Sequence, residues 1–497
     1  MYSIGFDNEK YLQMQSEKIM ERVEMFENKL YLEFGGKLFD DYHASRVLPG
    51  FKPDSKVRLL KTLKDMAEII CCINASNIES NKVSGDTGIS YDDDVLRLID
   101  EFRKNDLYVS GVVISQYHGQ PAADNFKAFL ESRGVTVYMM HYIPESEYPR
   151  NIQLILSDEG YGNNDYIETT KPLVVMTAPG PGSGKMAACL SQLYLENKRG
   201  VKAGYAKFET FPIWNVPLKN MIHSAYEAAT ADLNDVNMID PFHLEAYGVS
   251  AVNYNRDIEV FPLLNAMFKR IWGTSPYNSP TDMGVNMVGH CIIDEEVCSE
   301  ASKQEIIRRY FKTQLDVSTG SGSRLAASKV QLLMNNIGIS PEDRAPVRPA
   351  LEKAEQQDCP CAAIQLPDGT IITGKTSALL GASSAALLNA LKYLAGIDDK
   401  VHLIAPVLIE PIQKLKVEYL GNENPRLHTD EVLIALSICA PTNPIAALVL
   451  EQLPKLHNSE AHSSVILSQV DLNVFWQLGV NITCQPEFQS KRLFRKK

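Results

Sequence analysis

The chain has 497 residues, 45% hydrophobic and 22% charged, with a formal net charge of -12. That length exceeds one ordinary core and that composition is globular, so two or three domains are expected and wholesale disorder is excluded. The acidic balance argues against nucleic-acid binding, which needs clustered Lys and Arg; the one basic cluster is the terminal KRLFRKK from Lys491.

The opening MYSIGFDNEKYLQ lacks the basic start and apolar stretch of a signal peptide, so a cytoplasmic protein is expected. Nine cysteines at irregular positions, none in a CxxC pair, agree with reduced thiols and argue against a structural zinc. Residues 10 to 30 carry a helical pattern, and YLEFGGKLF turns at Gly35 and Gly36. The short apolar runs AEIICCI and GVVIS then alternate with the helical VLRLIDEFRKN and NFKAFLESRG, the order of a mostly parallel α/β sheet. We take residues 1–220 as an N-terminal α/β domain. It contains PLVVMTA, a glycine-rich turn and MAACLSQLYLENK in the order strand, turn, helix.

Over residues 221–357 helical periodicity dominates, as in IIRRYFKTQL and SRLAASKVQLLMNNIG, so a helical subdomain is predicted, with STGSGSR as a connecting loop. Residues 358–497 are expected to form a C-terminal α/β domain. There AAIQL, PDG and TIITG read as a hairpin, SALLGASSAALLNALK as a long helix, and PIAALVLEQL and VFWQLG as further helices. VHLIAPVLI, EVLIALSICA, SSVILSQ and VNITC read as strands. The apolar stretch from Ser377 to Ile397 carries Asn389 and Lys392, which suits a buried helix and not a membrane span.

The turn GPGSGK, from Gly180 to Lys185, is the leading candidate site. A glycine-rich link from strand to helix exposes backbone N–H groups at the positive end of the helix dipole, where phosphate binds. Gly180, Gly182 and Gly184 would let the backbone approach an anion, Ser183 would donate a hydrogen bond and Lys185 would supply charge. The turn departs from the P-loop pattern at Pro179, in place of the first glycine, and at Met186, in place of the magnesium-binding Ser or Thr. A plain strand-to-helix turn with a solvated lysine is the competing account. GTIITGKT, from Gly369 to Thr376, fits the P-loop expression letter for letter, but Ile371 and Ile372 suit a strand and the preceding DG suits a hairpin.

If magnesium accompanies a nucleotide, carboxylates elsewhere must hold it. ADLNDVNMIDPFHLEAYG offers Asp232 and Asp235, which would share a face at a helix end, and Asp240 and His243 as catalytic acid or base; helix capping is the alternative role. Lys37, Asp41, His43 and Arg46 beside the GG turn, and Lys207 and Glu209 on one face of a strand with Tyr205, are the substrate-binding candidates. Each of these segments would equally serve as surface pairs. Cys439, in SICAPTNP, has no histidine partner in sequence, and a core cysteine is the simpler account.

The strings EFGGKLFDDYHASRVLPGF, GQPAAD, TAPGPGSGKMA, GYAKFETFPIWN, NMIDPFHLEAYG and LPDGTIITGKTSALLGASSAALLNALK span the chain. On them it resembles the bacterial uncharacterised protein family numbered three hundred and seventy-one. The resemblance implies a cytoplasmic, multidomain protein and carries over no catalytic residue. The order hairpin, long helix, strand, loop, helix in the C-terminal domain also looks like the cytidine-deaminase-type layout. Its zinc ligands have no counterpart in TSALLGAS and CAPTNP apart from Cys439.

These readings lead to an enzyme of phosphoryl-transfer-like class acting on a small phosphorylated molecule, with a nucleotide and magnesium as cofactor. Two alternatives stand beside it: a non-enzymatic metabolite sensor or scaffold that forms homo-oligomers, and a metal-dependent hydrolase using the Asp and His cluster.

Overall fold

The computed structural model describes residues 4–27, 29–36, 38–39, 41–83, 88–144 and 146–489. Within them the chain forms two compact units: one of Ile4–Glu227 and Asn234–Ser302, the other of Ala228–Leu233 and the residues from Lys303 on.

The first unit holds strands β1 (Leu30–Phe34), β2 (Ala67–Asn74), β3 (Val109–Tyr117), β4 (Val137–His141), β5 (Leu173–Thr177), β6 (Gly204–Phe208), β7 (Asn237–Ile239), β8 (Val252–Tyr254) and β9 (Gly284–Val285). Seven form one sheet in the order β4-β3-β2-β5-β1-β6-β9, and every pairing in it is parallel. β1, β2 and β5 are buried along their whole length, which is why their runs are mostly apolar, with Glu33 on β1 and Glu68 on β2 as buried exceptions. The strand–helix alternation predicted for this region is present, with helices at Tyr91–Lys104, Pro121–Ser132 and Lys185–Lys198. The region expected to be mainly helical also carries β7 and β8, an antiparallel pair, and β9 on the sheet edge. These strands are two or three residues long, too short to leave a periodic signal.

Strand order fixes where a ligand site belongs. β2 continues leftward to β3, whereas β5 continues rightward across β1 to β6, so the chain leaves these two neighbouring strands in opposite directions. Right-handed crossovers put the two sets of helices on opposite faces, and open α/β sheets bind ligands outside the carboxyl ends of the strands at such a switch point.

The second unit contains β10 (Cys361–Gln365), β11 (Ile371–Lys375), β12 (Glu460–Ser463) and β13 (Asn481–Cys484) in a mixed sheet ordered β11-β10-β12-β13. β10 and β11 form the predicted hairpin, and Ala382–Ala395 the predicted long helix. STGSGSR links the helices Glu295–Thr319 and Arg324–Ile337, as expected. Two predicted strands are helices. EVLIALSICA lies in Thr429–Cys439, where Glu431 caps the His428 N–H at 2.8 Å and Val432, Ala435, Leu436 and Cys439 are buried at helical spacing. VHLIAPVLI runs into the helix Pro406–Lys414, which starts on a proline. The cytidine-deaminase-type layout needed a strand before CAPTNP, and a helix stands there.

β12 and β13 are joined by Arg344, which is fully buried. It donates to the carbonyls of Ala461 and Asn481 and to Thr483 Oγ1, and it pairs with Glu460, which Arg308 also binds at 3.1 Å. Among the described residues no helix is long and apolar enough to cross a membrane, and all nine cysteines are free.

Candidate functional site

The Gly180–Lys185 turn follows β5 and opens the Lys185–Lys198 helix, with Gly182 at φ 78° and Gly184 at φ 83°, a region that favours glycine. Its carbonyls are held by side chains. Asn74, at the end of β2, donates to the Gly182 carbonyl at 3.2 Å, Ser115 on β3 donates to that of Ser183 at 3.0 Å, and Ser183 Oγ donates to that of Gly180 at 2.8 Å. A trans peptide points its C=O and the following N–H in opposite directions. Fixing the carbonyls of Gly182 and Ser183 on β2 and β3 therefore turns the N–H groups of Ser183 and Gly184 away from them. Among the described residues the N–H groups of Gly182 through Ala187 find no acceptor, and no side chain caps the helix.

The turn sits tightly against the sheet. A Cβ on Gly180 would collide with the Tyr91 hydroxyl, and one on Gly184 would lie 2.5 Å from Ser115 Oγ. Ser183 is buried, so its hydroxyl shapes the loop internally and does not face a ligand. Lys185 is half-buried, and its ammonium makes no hydrogen bond or ion pair with a described residue. Burial pushes the Cys72 thiol up to about 12, with the Lys185 charge pulling the other way, which places that charge over β2.

On β1, which pairs with the strand that leads into the turn, and on β6 next to it lies a buried acidic cluster that motif reading only partly foresaw. In the parallel register Glu33 of β1 stands level with Lys207 of β6. Glu33 accepts from the Tyr205 hydroxyl at 2.7 Å, and Lys207 pairs with Glu209 at 2.8 Å and with Asp257. Tyr205, Lys207 and Glu209 thus share a face, as alternation predicted. Burial opposes the Lys207 charge, but Asp257, Glu209 and Glu33 outweigh it and hold its ammonium above the ordinary lysine value. Burial also raises the Glu209 carboxyl; Lys207 opposes the shift, and Asp257 and Glu33 reinforce it. Glu33, one charged residue inside YLEFGG, was a usable sequence signal. Asp257, Asn74 and Ser115 left none.

The other predicted residues divide among separate settings. Asp41 caps the helix Tyr42–Val47, accepting from the Ala44 N–H at 3.2 Å, and pairs with Lys56 at 2.8 Å. Lys56 also lies over the Phe208 ring, and Phe34 and Phe208 stack with centroids 4.0 Å apart. The strand pleat sends Phe34 and Phe208 to the face opposite Glu33 and Lys207. His43 packs edge-on against Phe211 and Tyr226, Arg46 is half-buried in the last turn of the same helix, and Lys37 lies outside the described residues.

Asp240 caps the helix Pro241–Tyr247, and its carboxylate accepts from four donors: the N–H groups of Phe242, His243 and Thr281, and the Thr281 hydroxyl. His243 Nδ1 is 3.0 Å from Ser279 Oγ. Asp232 is exposed in the turn after Met221–Ala229, and Asp235 is buried with both oxygens facing Arg256, at 2.6 and 2.9 Å. Neither aspartate is on a helix. With its carboxylate committed to a guanidinium, Asp235 does not fit a magnesium ligand, and among the described residues no group of three or more His, Cys, Asp or Glu is gathered to hold a metal.

The family described as "Domain of unknown function DUF1846, N-terminal" matches residues 4–338, and its C-terminal counterpart matches residues 342–494. A UPF0371 protein of Streptococcus pyogenes serotype M3 is 57% identical over 496 residues, covering 100% of both chains. One from Streptococcus uberis is 56% identical over the same length, again with 100% of both chains covered. Nearly the whole described structure thus falls within regions shared with these bacterial proteins, and the chain belongs to the UPF0371 family, built from the paired DUF1846 domains.

Proposed function

We propose that the protein binds a small phosphorylated molecule, a nucleotide or phosphometabolite, at the Gly180–Lys185 turn and acts on it in phosphoryl-transfer-like chemistry in the cytoplasm. The observation that carries this reading is the row of backbone N–H groups from Gly182 to Ala187, which find no acceptor among the described residues, together with the Lys185 ammonium, which pairs with none of those residues. Six N–H donors, a helix dipole and one cation stabilise charge on a phosphoryl group with little reorganisation. The turn also stands at the crevice where the chain leaves β2 and β5 in opposite directions, the place where open α/β sheets bind ligands. In this reading Lys185 is the catalytic cation, and the Glu33, Lys207 and Glu209 cluster orients the rest of the substrate. No step is assigned to magnesium.

Isothermal titration of the full chain with nucleotides and sugar phosphates tests the reading. Lys185→Ala is expected to weaken binding at least about tenfold, the scale of one charge-assisted hydrogen bond. Binding that ignores this substitution would overturn the assignment.

A second reading, a metabolite sensor without turnover, draws on a different observation: Asp240 and Glu209 are each already engaged by donors or by Lys207. Ligand binding with no product in a coupled turnover assay would favour it.

A further inference from the structure

The second unit contains a cavity of about 180 Å³ that the Gly180 turn does not explain. It opens at the start of the Ala382–Ala395 helix, whose N-cap, Gly381, supplies no side chain, so the first N–H groups have no protein acceptor among the described residues. Ser383, 3% exposed, lines the cavity, and its hydroxyl makes no hydrogen bond with a described residue. A buried hydroxyl left without a partner costs free energy unless something in the cavity meets it.

A guanidinium and an imidazole line the same space. Arg426 uses Nε to hold the Ser377 carbonyl at 2.8 Å, and no described residue bonds its terminal nitrogens. His428, whose imidazole edges the cavity, has Nδ1 3.0 Å from Asp471 Oδ2, which makes that nitrogen the donor. Asp471 also accepts from the Thr429 N–H, the Thr429 hydroxyl and Ser468 Oγ, which hold its carboxylate on the His428 side, and the positive charge offered to a ligand is that of Arg426. Leu427, Ile466 and Phe488 complete an apolar wall.

We infer that this cavity is a binding site for a small organic anion, one carboxylate or phosphate group on a compact apolar body. The anionic head meets the Ala382–Ala395 helix start, Ser383, Arg426 and His428, and the body packs on Leu427, Ile466 and Phe488. The volume is close to that of cavities that take a single benzene ring.

Full-chain protein carrying Lys185→Ala, which weakens phosphate binding at the turn of the first unit, titrated with benzoate, phenyl phosphate and inorganic phosphate, each to about 10 mM, tests this directly. At least one aryl anion is expected to bind once per chain, tighter than inorganic phosphate; benzoate against phenyl phosphate then identifies the head group. Arg426→Gln, a change at a half-exposed position, and Ser383→Ala should each weaken that binding about tenfold or more. Lys185→Ala should leave it unchanged, which separates this site from the turn of the first unit. No binding by any of the three, inorganic phosphate binding as tightly as the aryl anions, or aryl binding indifferent to Arg426→Gln and Ser383→Ala would each overturn the inference.

Discussion

Gly184→Ala probes the turn through its backbone. Gly184 has φ 83° and ψ 15°, and an L-residue there costs about 1–2 kcal/mol. The new Cβ would stand 2.5 Å from Ser115 Oγ and 2.7 Å from Ser115 Cβ. Ser115 is buried on β3, so relief requires moving the turn or rotating the hydroxyl off the Ser183 carbonyl; overpacking of this kind costs about 1–3 kcal/mol, and the lost hydrogen bond about 1. The total is roughly 3–6 kcal/mol. Gly182→Ala is the matched control, because Gly182 has a similar φ of 78° and nothing within 4 Å of a built Cβ, so only the backbone term of about 1–2 kcal/mol applies. Urea unfolding, followed by a probe in the first unit, measures both. Adding Ser115→Gly to Gly184→Ala should return about 1–3 kcal/mol as a positive coupling, since it removes both atoms in conflict. Equal stability of Gly184→Ala and Gly182→Ala, or no coupling to Ser115, would refute the packing described for the turn.

Lys185→Ala should leave the melting transition within about 0.5 kcal/mol of the parent, because the ammonium has no described partner to lose, while nucleotide or sugar-phosphate affinity falls; a large stability loss in calorimetry would contradict that. Lys207→Met should destabilise the first unit by about 3–5 kcal/mol in denaturant titration, since Glu209 and Asp257 would be left buried without their cation, and adding Glu209→Gln should recover part of it. His428 and His462 should have opposite effects on the pH dependence of the second unit. The hydrogen bond to Asp471 raises the His428 imidazole, so its contribution is fully present below the unfolded value of about 6.5 and is lost as pH rises through the folded value. Burial, aided by Arg344, pushes His462 down to about 3, so its neutral form is matched to the fold above about pH 6.5 and stability falls as pH drops below that. Unfolding measured from about pH 5 to about pH 8 should therefore slope more steeply upward in His428→Gln and less steeply in His462→Gln; changes of the same sign in both would refute these assignments.

Much of the first unit was legible because its central strands are buried on both faces. AEIICCI, GVVIS and PLVVMT read as short, mostly apolar runs, and the helices between them, such as Tyr91–Lys104, bury one stripe and expose the other. The second unit misled for a related reason. In Thr429–Cys439, Ile434 and Ile438 are exposed, so apolar residues on both sides of the helix mimic a buried strand, and only the TDE start marks a helix. Asp240 and His243 form a conspicuous acid and base pair in the sequence, yet the DP start of Pro241–Tyr247 already announced a cap. Glu33 and Asp257 meet Lys207 only through strand order and the entry of the Asn255–Trp272 helix, which no local pattern encodes.

The two loop candidates are separated by the fate of their backbone groups. GTIITGKT has the letters of a phosphate loop, but Ile371–Lys375 is strand β11, its residues are paired with Cys361–Gln365, and Gly374 is pressed against the backbone of Ala386. Those peptides are committed to a ladder and a helix contact. GPGSGK lacks two of the letters, yet Asn74 and Ser115 hold its carbonyls from strands 108 and 68 residues distant, and no described residue accepts from its N–H groups from Gly182 on. What an anion requires is donors oriented together and unpaired, and glycine matters only because it allows the φ that orients them. The missing Ser or Thr at Met186 removes a metal-binding hydroxyl and leaves those donors untouched. Strand order, by inserting β5 between β2 and β1, brings Asn74 and Ser115 within reach of the turn; that is why the weaker motif has the geometry of a site and the perfect one has the geometry of a hairpin.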